Sequence, residues 1–292
     1  MKREKLISSL LFFCAFISVL VVFLIFGFTF FEGLPVFAKY GLDFLFGLEW
    51  RPYDEPPKFG LLPTIIGSFS VAILCLAISV PIGILTAIYL AEYSRGTLRN
   101  FIKSAAEFLV SIPSVLLGFI GLIILVPLIR EYLGGWGFSI LAGGIVLAIM
   151  TLPHIVSISE DAIRAVPREY RMASLALGAS RWQTVRNVVL PYARSGIIAS
   201  VILGLCNAIG ETMAVLMVIG NPEIPFIPSS ILDRVRVLTS TIVIEFDYAI
   251  WGSEQMRALF AVGVVLFVIT MALNIAAIKI LRRGLHARVK SA

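Results

Sequence analysis

Long apolar stretches alternate with short charged segments along the whole chain. Six stretches carry almost no Lys, Arg, Asp or Glu, and each is long enough for the roughly 20 residues that a membrane-spanning helix needs. They are Leu6–Phe31, Leu61–Ala91, Phe108–Ile129, Leu133–Ser159, Ser195–Pro222 and Ala258–Ile278. Only the fifth contains one of these four residue types, Glu211. The pattern predicts an all-α integral membrane protein with six transmembrane helices.

The composition also fits a membrane protein. Hydrophobic residues make up 59% of the chain and charged residues 14%, whereas soluble domains have about 45–50% and about 25%. Of the 24 Lys and Arg residues, 17 fall in the two terminal segments and in segments 92–107 and 160–194. By the positive-inside rule, this asymmetry predicts a plasma or inner membrane protein with both termini in the cytoplasm. The basic residues then serve as orientation signals and lipid contacts, and nucleic acid is not an expected partner.

The longest of these basic segments is predicted to form two short helices. Pro167 is placed to open a helix at its first position. Arg168–Leu177 contains good helix formers up to Gly178, which is expected to adopt a positive φ and to stop the helix. Ser180 and Gln183 have the spacing of a capping box, which predicts the start of a second helix.

The second of these helices is predicted to be amphipathic. Trp182, Val185, Val188 and Val189 fall on one face at helical spacing, and Pro191 is expected to end the helix before the next span. A basic helix pair can read DNA, but this pair is tethered to the membrane at both ends. Two interpretations stay open on the residues alone: a hairpin that lies on lipid, or a docking element for a cytoplasmic partner protein.

The same segment resembles a loop motif of ABC-importer permeases, E-A-A-x3-G-x9-I-x-L-P. In "MASLALGASRWQTVRNVVLP", Ala173, Gly178 and Pro191 match the motif, whereas Met172 replaces its Glu and Ser174 its second Ala. In that family the loop is the coupling helix, which sits in a groove of the ATPase subunit. The resemblance therefore implies a role in ATPase coupling for Glu169, Met172, Ala173, Gly178, Ala179, Arg181 and Pro191.

Further stretches resemble the phosphate-transport permeases of the Pst system. They include "FGLLPTIIGS", "IPSVLLGFIGL", "LPHIVSISEDAIRAVP" and "GETMAVLMVIGNP", and the similarity extends over nearly the whole chain. The GETMAV form and the long first external segment are similar to the C subunit of that system. The resemblance implies a type I ABC-importer permease with a MetI-like core. Residues 1–60 would be an N-terminal helix with an external segment, and residues 61–292 a five-helix core with a coupling loop at 160–191.

The resemblance also implies the partners. An importer of this type pairs such a chain with a homologous permease subunit, two ATPase subunits and an external phosphate-binding protein. The chain has no G-x4-G-K-[ST] motif, which is the phosphate-binding loop of many ATPases. ATP and Mg²⁺ are therefore expected at the partner ATPase, with no cofactor on this chain, which is predicted to be a transporter subunit and not an enzyme.

Glu211 is the candidate for chemistry within the membrane, where a carboxylate costs roughly 2.5 to 3.5 kcal/mol on insertion scales. Gly204, Asn207 and Thr212 lie on or near its helical stripe of small and polar residues, and such a stripe marks a helix contact or a lining face. Because intramembrane carboxylates are usually functional, we predict that these four residues line a translocation pathway. The alternative is packing, in which Glu211 caps a helix break at Gly210 or hydrogen-bonds to Asn207.

The resembling permeases carry an Arg in place of Asn207, which implies a Glu–Arg pair. In this chain, the cation would come from the partner subunit, Glu211 would be protonated, or the site would work differently.

Three other functions stay open. The substrate could instead be another oxyanion, such as molybdate, tungstate or sulfate. An intramembrane enzyme that uses Glu211 as an acid or base is disfavoured, because the spans contain no second Asp or Glu. A scaffold or sensor subunit would not need an inward-facing Glu.

Overall fold

The computed structural model describes residues 2–94 and 96–289, without the side chains of residues 2–6, 100, 107 and 282–289. The first half contains α1 (Lys2–Tyr40), α2 (Asp43–Phe46), an antiparallel pair β1 (Trp50–Arg51) and β2 (Lys58–Phe59), α3 (Leu62–Ile88), α4 (Thr97–Ser111), α5 (Ser114–Ile120) and α6 (Val126–Leu133). The second half contains α7 (Ile140–Arg164), α8 (Arg168–Ala176), α9 (Arg181–Thr184), α10 (Leu190–Gly210), α11 (Met213–Val218), α12 (Leu238–Phe246) and α13 (Glu254–Val289). Three π-helical turns, Tyr89–Tyr93, Gly121–Leu125 and Val185–Val189, continue or join these helices.

Six helical segments of the described chain are long and apolar enough to cross a membrane. They are Ile7–Tyr40, Leu62–Tyr93, Ser114–Leu133, Ile140–Arg164, Arg181–Gly210 and Glu254–Leu281. The predicted all-α fold with six membrane helices is therefore confirmed. The helices pack as a bundle in which α3 runs along α7, and α10 contacts both α7 and α13.

The first helix is peripheral. It contacts α13, and the most apolar part of its span is entirely exposed within this chain, which suits a helix surrounded by lipid. Its C-terminal end enters an apolar cluster in which Val36, Phe44 and Trp50 are buried together with Leu238 and Val262. This cluster joins residues 1–60 to the five-helix core, so the two predicted parts share buried surface at this end of the bundle.

The third span begins later than its apolar run. The chain forms a separate helix, α4, whose polar and apolar residues lie on opposite faces, and α4 ends before Pro113. The residue before a proline is pushed out of the helical region, and Ile112 accordingly has an extended ψ of 127°. The predicted start at Phe108 is therefore wrong, and the span starts at Ser114.

The fourth span is shifted in the same direction. The predicted start at Leu133 is wrong because Gly134, Gly135 and Gly137 all have positive φ values and form a turn. Ser139 then caps α7 by accepting a hydrogen bond from the N–H of Ala142 over 3.1 Å. The helix continues past the predicted end at Ser159, through residues 160–164.

Proline does not end the second helix of the basic segment. The prediction that Pro191 would separate this helix from the next span is wrong, because one continuous span runs over Arg181–Gly210. In the π-helical turn before it, the N–H of Leu190 bonds to the carbonyl of Val185. The wider turn accommodates a ring that would otherwise clash with the preceding turn. Pro127 follows the Gly121–Leu125 turn in the same way.

Candidate coupling surface and translocation site

The turn between α8 and α9 is held by hydrogen bonds of its own backbone. Gly178 has a φ of +83°, which confirms the predicted left-handed stop. Its N–H donates to the carbonyl of Leu175 over 3.0 Å, and the N–H of Ala179 donates to the carbonyl of Ser174 over 3.2 Å. These two bonds form a Schellman motif, the standard termination of a helix at glycine.

The second helix begins with the predicted capping box. The Oγ of Ser180 accepts a bond from the N–H of Gln183 over 3.2 Å, and the Oε1 of Gln183 accepts one from the N–H of Ser180 over 2.7 Å. Pro167 is the N-cap residue of α8, and the first helical residue is Arg168. The prediction that Pro167 occupies the first helical position is therefore off by one residue. The hydroxyls of Ser174 and Thr184, 2.9 Å apart, join the two helices. The pair is therefore a defined unit rather than an open loop.

Arg171 fixes this unit to the membrane helices. Its Nη2 donates to Oε1 of Glu92 and to the carbonyl of Ile163, each over 2.8 Å, and its Nη1 donates to the carbonyl of Val166. Glu92 lies near the end of the span Leu62–Tyr93, which begins with α3. Ile163 lies near the end of α7. The sequence alone does not indicate this role of Arg171, because a basic residue in this segment fits the positive-inside rule, which says nothing about its partner.

Arg181 also turns towards the membrane helices. Its Nη2 donates to the carbonyl of Glu92 over 3.2 Å, and its guanidinium lies 5.5 Å from the centre of the Tyr93 ring. Arg181 and Tyr93 border a cleft of about 720 Å³, and Arg164 and Arg168 also line this cleft. Arg181 therefore contributes to how the helix pair is seated on the bundle.

Four large apolar side chains of the helix pair are exposed. The exposed fractions are 65% for Met172, 40% for Leu175, 89% for Leu177 and 50% for Trp182, and Met172 and Leu175 also line the cleft beside Arg181. Exposed apolar side chains of this size mark a surface that another molecule covers. We call these four residues the docking face. Of the predicted coupling residues, Glu169 and Ala173 are also exposed, whereas Ala179 is partly buried and Pro191 lies in the continuous helix.

The residues predicted to form the apolar face of the second helix lie in two different environments. Val185 and Val189 are 2% and 0% exposed and join a cluster with Ala87, Ile88 and Ile163. Val188 is partly buried, and Trp182 remains half exposed within this chain. The valines therefore attach the helix to the bundle, and Trp182 contributes to the docking face.

Glu211 lies at a break between two helices. The α10 helix ends at Gly210, and Glu211 has an extended backbone with a ψ of 131°. Its N–H donates to the carbonyl of Asn207 over 3.1 Å, and its Oε1 accepts a bond from the N–H of Ala214 over 3.4 Å. The prediction of one membrane helix over Ser195–Pro222 is therefore wrong after Gly210, where the helix ends. Glycine weakens a helix, and the carboxylate bonds to the start of α11 instead, as the packing alternative proposed.

The four predicted pathway residues have different surroundings. A Cβ atom on Gly204 would lie 3.0 Å from Cγ2 of Thr151 and 3.3 Å from Ile155, so Gly204 packs against α7. Asn207 is exposed on the surface of this chain, whereas Glu211 and Thr212 are partly buried. The carboxylate borders a narrow cavity of about 10 Å³ among α3, α7, α10 and α11. Gly204 thus allows a close helix contact, and the other three lie near the break.

Comparisons with known proteins agree with this architecture. The family model of the binding-protein-dependent transport system inner membrane component matches residues 79–291. The "Probable ABC transporter permease protein YqgH" of Bacillus subtilis is 44% identical over 229 residues, which are 78% of this chain and 74% of that protein. The phosphate transport system permease protein PstC of Haemophilus influenzae is 36% identical over 247 residues, 78% of this chain and 76% of its own.

A solved structure shares the fold. A chain of the MetNI methionine ABC transporter, determined in inward-facing conformations, has a TM-score of 0.55 and 22% identity, and the match covers 77% of this chain and 94% of that one. The predicted importer-permease fold with a MetI-like core is therefore confirmed. A permease of this kind works with ATPase, substrate-binding and permease partners. The chain belongs to the family of inner membrane permease components of binding-protein-dependent ABC importers.

Proposed function

We propose that this chain is the permease subunit of an ATP-driven importer for inorganic phosphate. The observation that carries the choice of phosphate is the 36% identity, over 78% of the chain, to a permease named for phosphate transport. The stretch "GETMAVLMVIGNP" supports it, because the Glu of this motif stands at a helix break within the bundle.

The docking face is where the partner ATPase binds in this proposal. An apolar surface of four large side chains suits a protein groove, and Arg171 ties the same helices to the ends of the α3 span and α7. Movement of the ATPase would therefore be transmitted to two membrane helices at once. Two ATPase subunits, which use ATP and Mg²⁺, would rock this chain against a homologous permease subunit between outward- and inward-facing states.

The pathway in this proposal passes the helix break. Glu211 and Thr212 lie at the break, and the exposed Asn207 is available to the partner permease. An external phosphate-binding protein would deliver the substrate at the end of the bundle that carries β1, β2 and α12. In this arrangement, the coupling end of the bundle, which is the end that carries the docking face, lies in the cytoplasm. Both termini lie on the same side.

Reconstitution tests the proposal. The chain would be purified with its permease, ATPase and binding-protein partners and placed in lipid vesicles, and uptake of radiolabelled inorganic phosphate would be measured. We expect uptake that needs both ATP and the binding protein. Phosphate accumulation equal to that of vesicles without ATP would refute the proposal.

A second substrate class has one observation in its favour. Asn207 stands where the resembling phosphate permeases carry an Arg, so a cation of that pathway is missing from this chain. Molybdate, tungstate and sulfate would therefore be tested in the same vesicles. ATP-dependent uptake of one of these anions at a higher rate than phosphate would replace phosphate as the substrate.

A further inference from the structure

A cavity of about 440 Å³ opens at the end of the bundle opposite the docking face. Its walls come from β1 and the turn after it, from the segment after α11, and from α12 with the residues just before it. Its polar wall includes Arg51, Asn221 and Arg236 together with the carboxylates of Asp54, Glu223 and Glu245. The Nη1 of Arg51 lies 3.6 Å from Oδ2 of Asp54. A water molecule takes about 30 Å³ in the liquid, so the cavity has room for a tetrahedral oxyanion together with several waters.

Arg236 lines this cavity with hydrogen-bonding capacity to spare. It is 4% exposed, and its Nη1 donates to the backbone carbonyl of Glu223 over 3.1 Å. Its Nη2 lies 2.8 Å from Oε1 of Glu245 as an ion pair, but neither Nε nor Nη2 makes an aligned hydrogen bond to a described residue. Glu245 has other donors, since Trp50 donates to its Oε1 over 2.7 Å and Gln255 to its Oε2 over 3.2 Å. The guanidinium therefore keeps donors for a ligand.

Two other residues of the wall have unmet hydrogen bonds. The Nε of Arg51 is buried and has no hydrogen-bond partner within the described chain, because the nearest carboxylate oxygen of Glu49 is 3.8 Å away. Asn221 donates from Nδ2 to the carbonyl of Leu216 over 2.7 Å, but its buried Oδ1 accepts no bond from any residue described. Of the six such buried atoms in the described part of the chain, four belong to Arg51, Asn221 and Arg236. Because buried polar atoms are normally hydrogen-bonded, their concentration here points to a polar ligand.

We propose that this cavity binds a tetrahedral oxyanion that carries at least one hydroxyl group, such as protonated inorganic phosphate; the inference rests on the proposed function. The two guanidiniums donate to the anionic oxygens. The bond to Leu216 fixes the orientation of the Asn221 amide, so its Oδ1 can only accept, and the ligand must donate a hydrogen bond there. The nearby carboxylate of Glu223 also accepts. A phosphate that bears a proton offers both kinds of bond, whereas sulfate at neutral pH has no proton to donate.

The cavity is connected to the break at Glu211. Arg236 lies two residues before α12, and Thr239 is in the first turn of that helix. The Oγ1 of Thr239 donates to the carbonyl of Glu211 over 3.2 Å. The backbone of Arg236 is held against α3, since a Cβ atom on Gly67 would lie 2.5 Å from its carbonyl oxygen. The segment that holds the ligand therefore also contacts the helix junction of the pathway.

Equilibrium binding of radiolabelled inorganic phosphate tests this site. The purified transporter complex would be measured in nanodiscs without the external binding protein. Combining Arg236→Gln with Glu245→Gln removes the guanidinium and leaves no unpaired buried carboxylate, and Arg51→Gln removes the second guanidinium. Arg234→Gln is the control, and it removes the same charge as Arg51→Gln does, but from a guanidinium that lies 4.5 Å over the Trp136 ring.

We expect each of the two cavity variants to weaken phosphate binding about tenfold or more, because hydrogen bonds to charged groups are worth that much. The control is expected to bind as the wild type does. Arsenate, which carries a hydroxyl at neutral pH, is expected to compete with phosphate, and sulfate is not.

Two results would overturn the inference: cavity variants that bind phosphate as well as the control, or sulfate that competes as well as arsenate. Phosphate uptake by the same wild-type complex in vesicles separates this inference from the proposed function. If the wild-type complex takes up phosphate but the cavity variants bind phosphate as well as the control, only the cavity site is refuted. A wild-type complex that takes up no phosphate refutes the function on which the site rests.

Discussion

Arg171→Gln is expected to detach the coupling helices from the bundle and to leave the membrane helices in place. The substitution removes the charge and most of the donors of a side chain that holds α8 to Glu92 and to the carbonyls of Ile163 and Val166. The rest of the attachment comes from the bond of Arg181 to the carbonyl of Glu92 and from the apolar cluster around Val185. The variant therefore weakens one connection without opening the core.

The size of the effect follows from burial. The side chains of Arg171 and Glu92 are 19% and 14% exposed, so the pair lies between a surface pair and a fully buried one. Hydrogen bonds to charged groups typically contribute about 1.5–3 kcal/mol. Taking about 2 kcal/mol, and a factor of ten for every 1.4 kcal/mol, the detached state should become about 30-fold more populated.

Amide hydrogen exchange of the assembled transporter measures this population. We expect amides of residues 172–184 to exchange about 30-fold faster in the variant, while those of α7 and α10 keep their protection. Arg168→Gln is the matched control, because Arg168 is exposed in the same helix. Glu92→Gln should reproduce the effect, and the double variant should add little to it.

Two outcomes would refute this reasoning. Unchanged exchange in the coupling helices would show that Arg181 and the apolar cluster hold them without Arg171. Equal acceleration in the Arg168→Gln control would show that the loss of any positive charge in α8 has the same effect, so that the contacts of Arg171 would not be the cause.

Three further predictions concern the turn, the docking face and the break. Gly178→Val is expected to strain the +83° φ by about 1–2 kcal/mol or more and to uncouple uptake from ATP hydrolysis, whereas Gly178→Asn, which tolerates a positive φ, should transport; uptake at the wild-type rate by the valine variant would argue against the coupling role. Leu177→Glu should leave the chain folded, because Leu177 is 89% exposed, and should reduce co-purification of the ATPase; full co-purification would exclude it from the interface. Glu211→Gln should severely lower phosphate uptake with normal assembly, and Asn207→Arg should keep partial uptake; normal uptake by the glutamine variant would assign Glu211 to packing.

Features set by nearby residues could be predicted from the sequence. The apolar runs predicted the six membrane helices, because about 20 apolar residues have few other stable arrangements. The capping box of Ser180 and Gln183 and the positive φ of Gly178 were predicted because the hydrogen bonds involved connect residues only a few positions apart. Local patterns failed at the helix ends near Phe108 and Leu133, where a proline or several glycines stop a helix that apolarity alone would continue.

Contacts between distant residues could not be predicted in this way. Glu160 was expected to lie just outside a span, yet it is buried within α7 because Arg99 donates to its Oε1 over 2.8 Å. The partners of Arg171 and Arg236 are likewise set by the packing of helices, and no spacing in the sequence indicates them. The break at Glu211 was foreseen only as an alternative, since a single glycine inside an apolar run is compatible with both a helix and its end.

These ion pairs bear on the predicted orientation of the chain. The positive-inside rule counts every Lys and Arg near a span end, but a cation that is paired with a carboxylate contributes less net charge at the membrane surface. On the coupling side, Arg99, Arg164 and Arg171 pair with carboxylates. On the opposite side, the paired cations are Lys39, Arg51, Lys58 and Arg236. Among the cations whose side chains the structure describes, three of nine are paired on the coupling side and four of seven on the opposite side. Leaving out the paired cations therefore strengthens the prediction, within the described residues, that the coupling end is cytoplasmic.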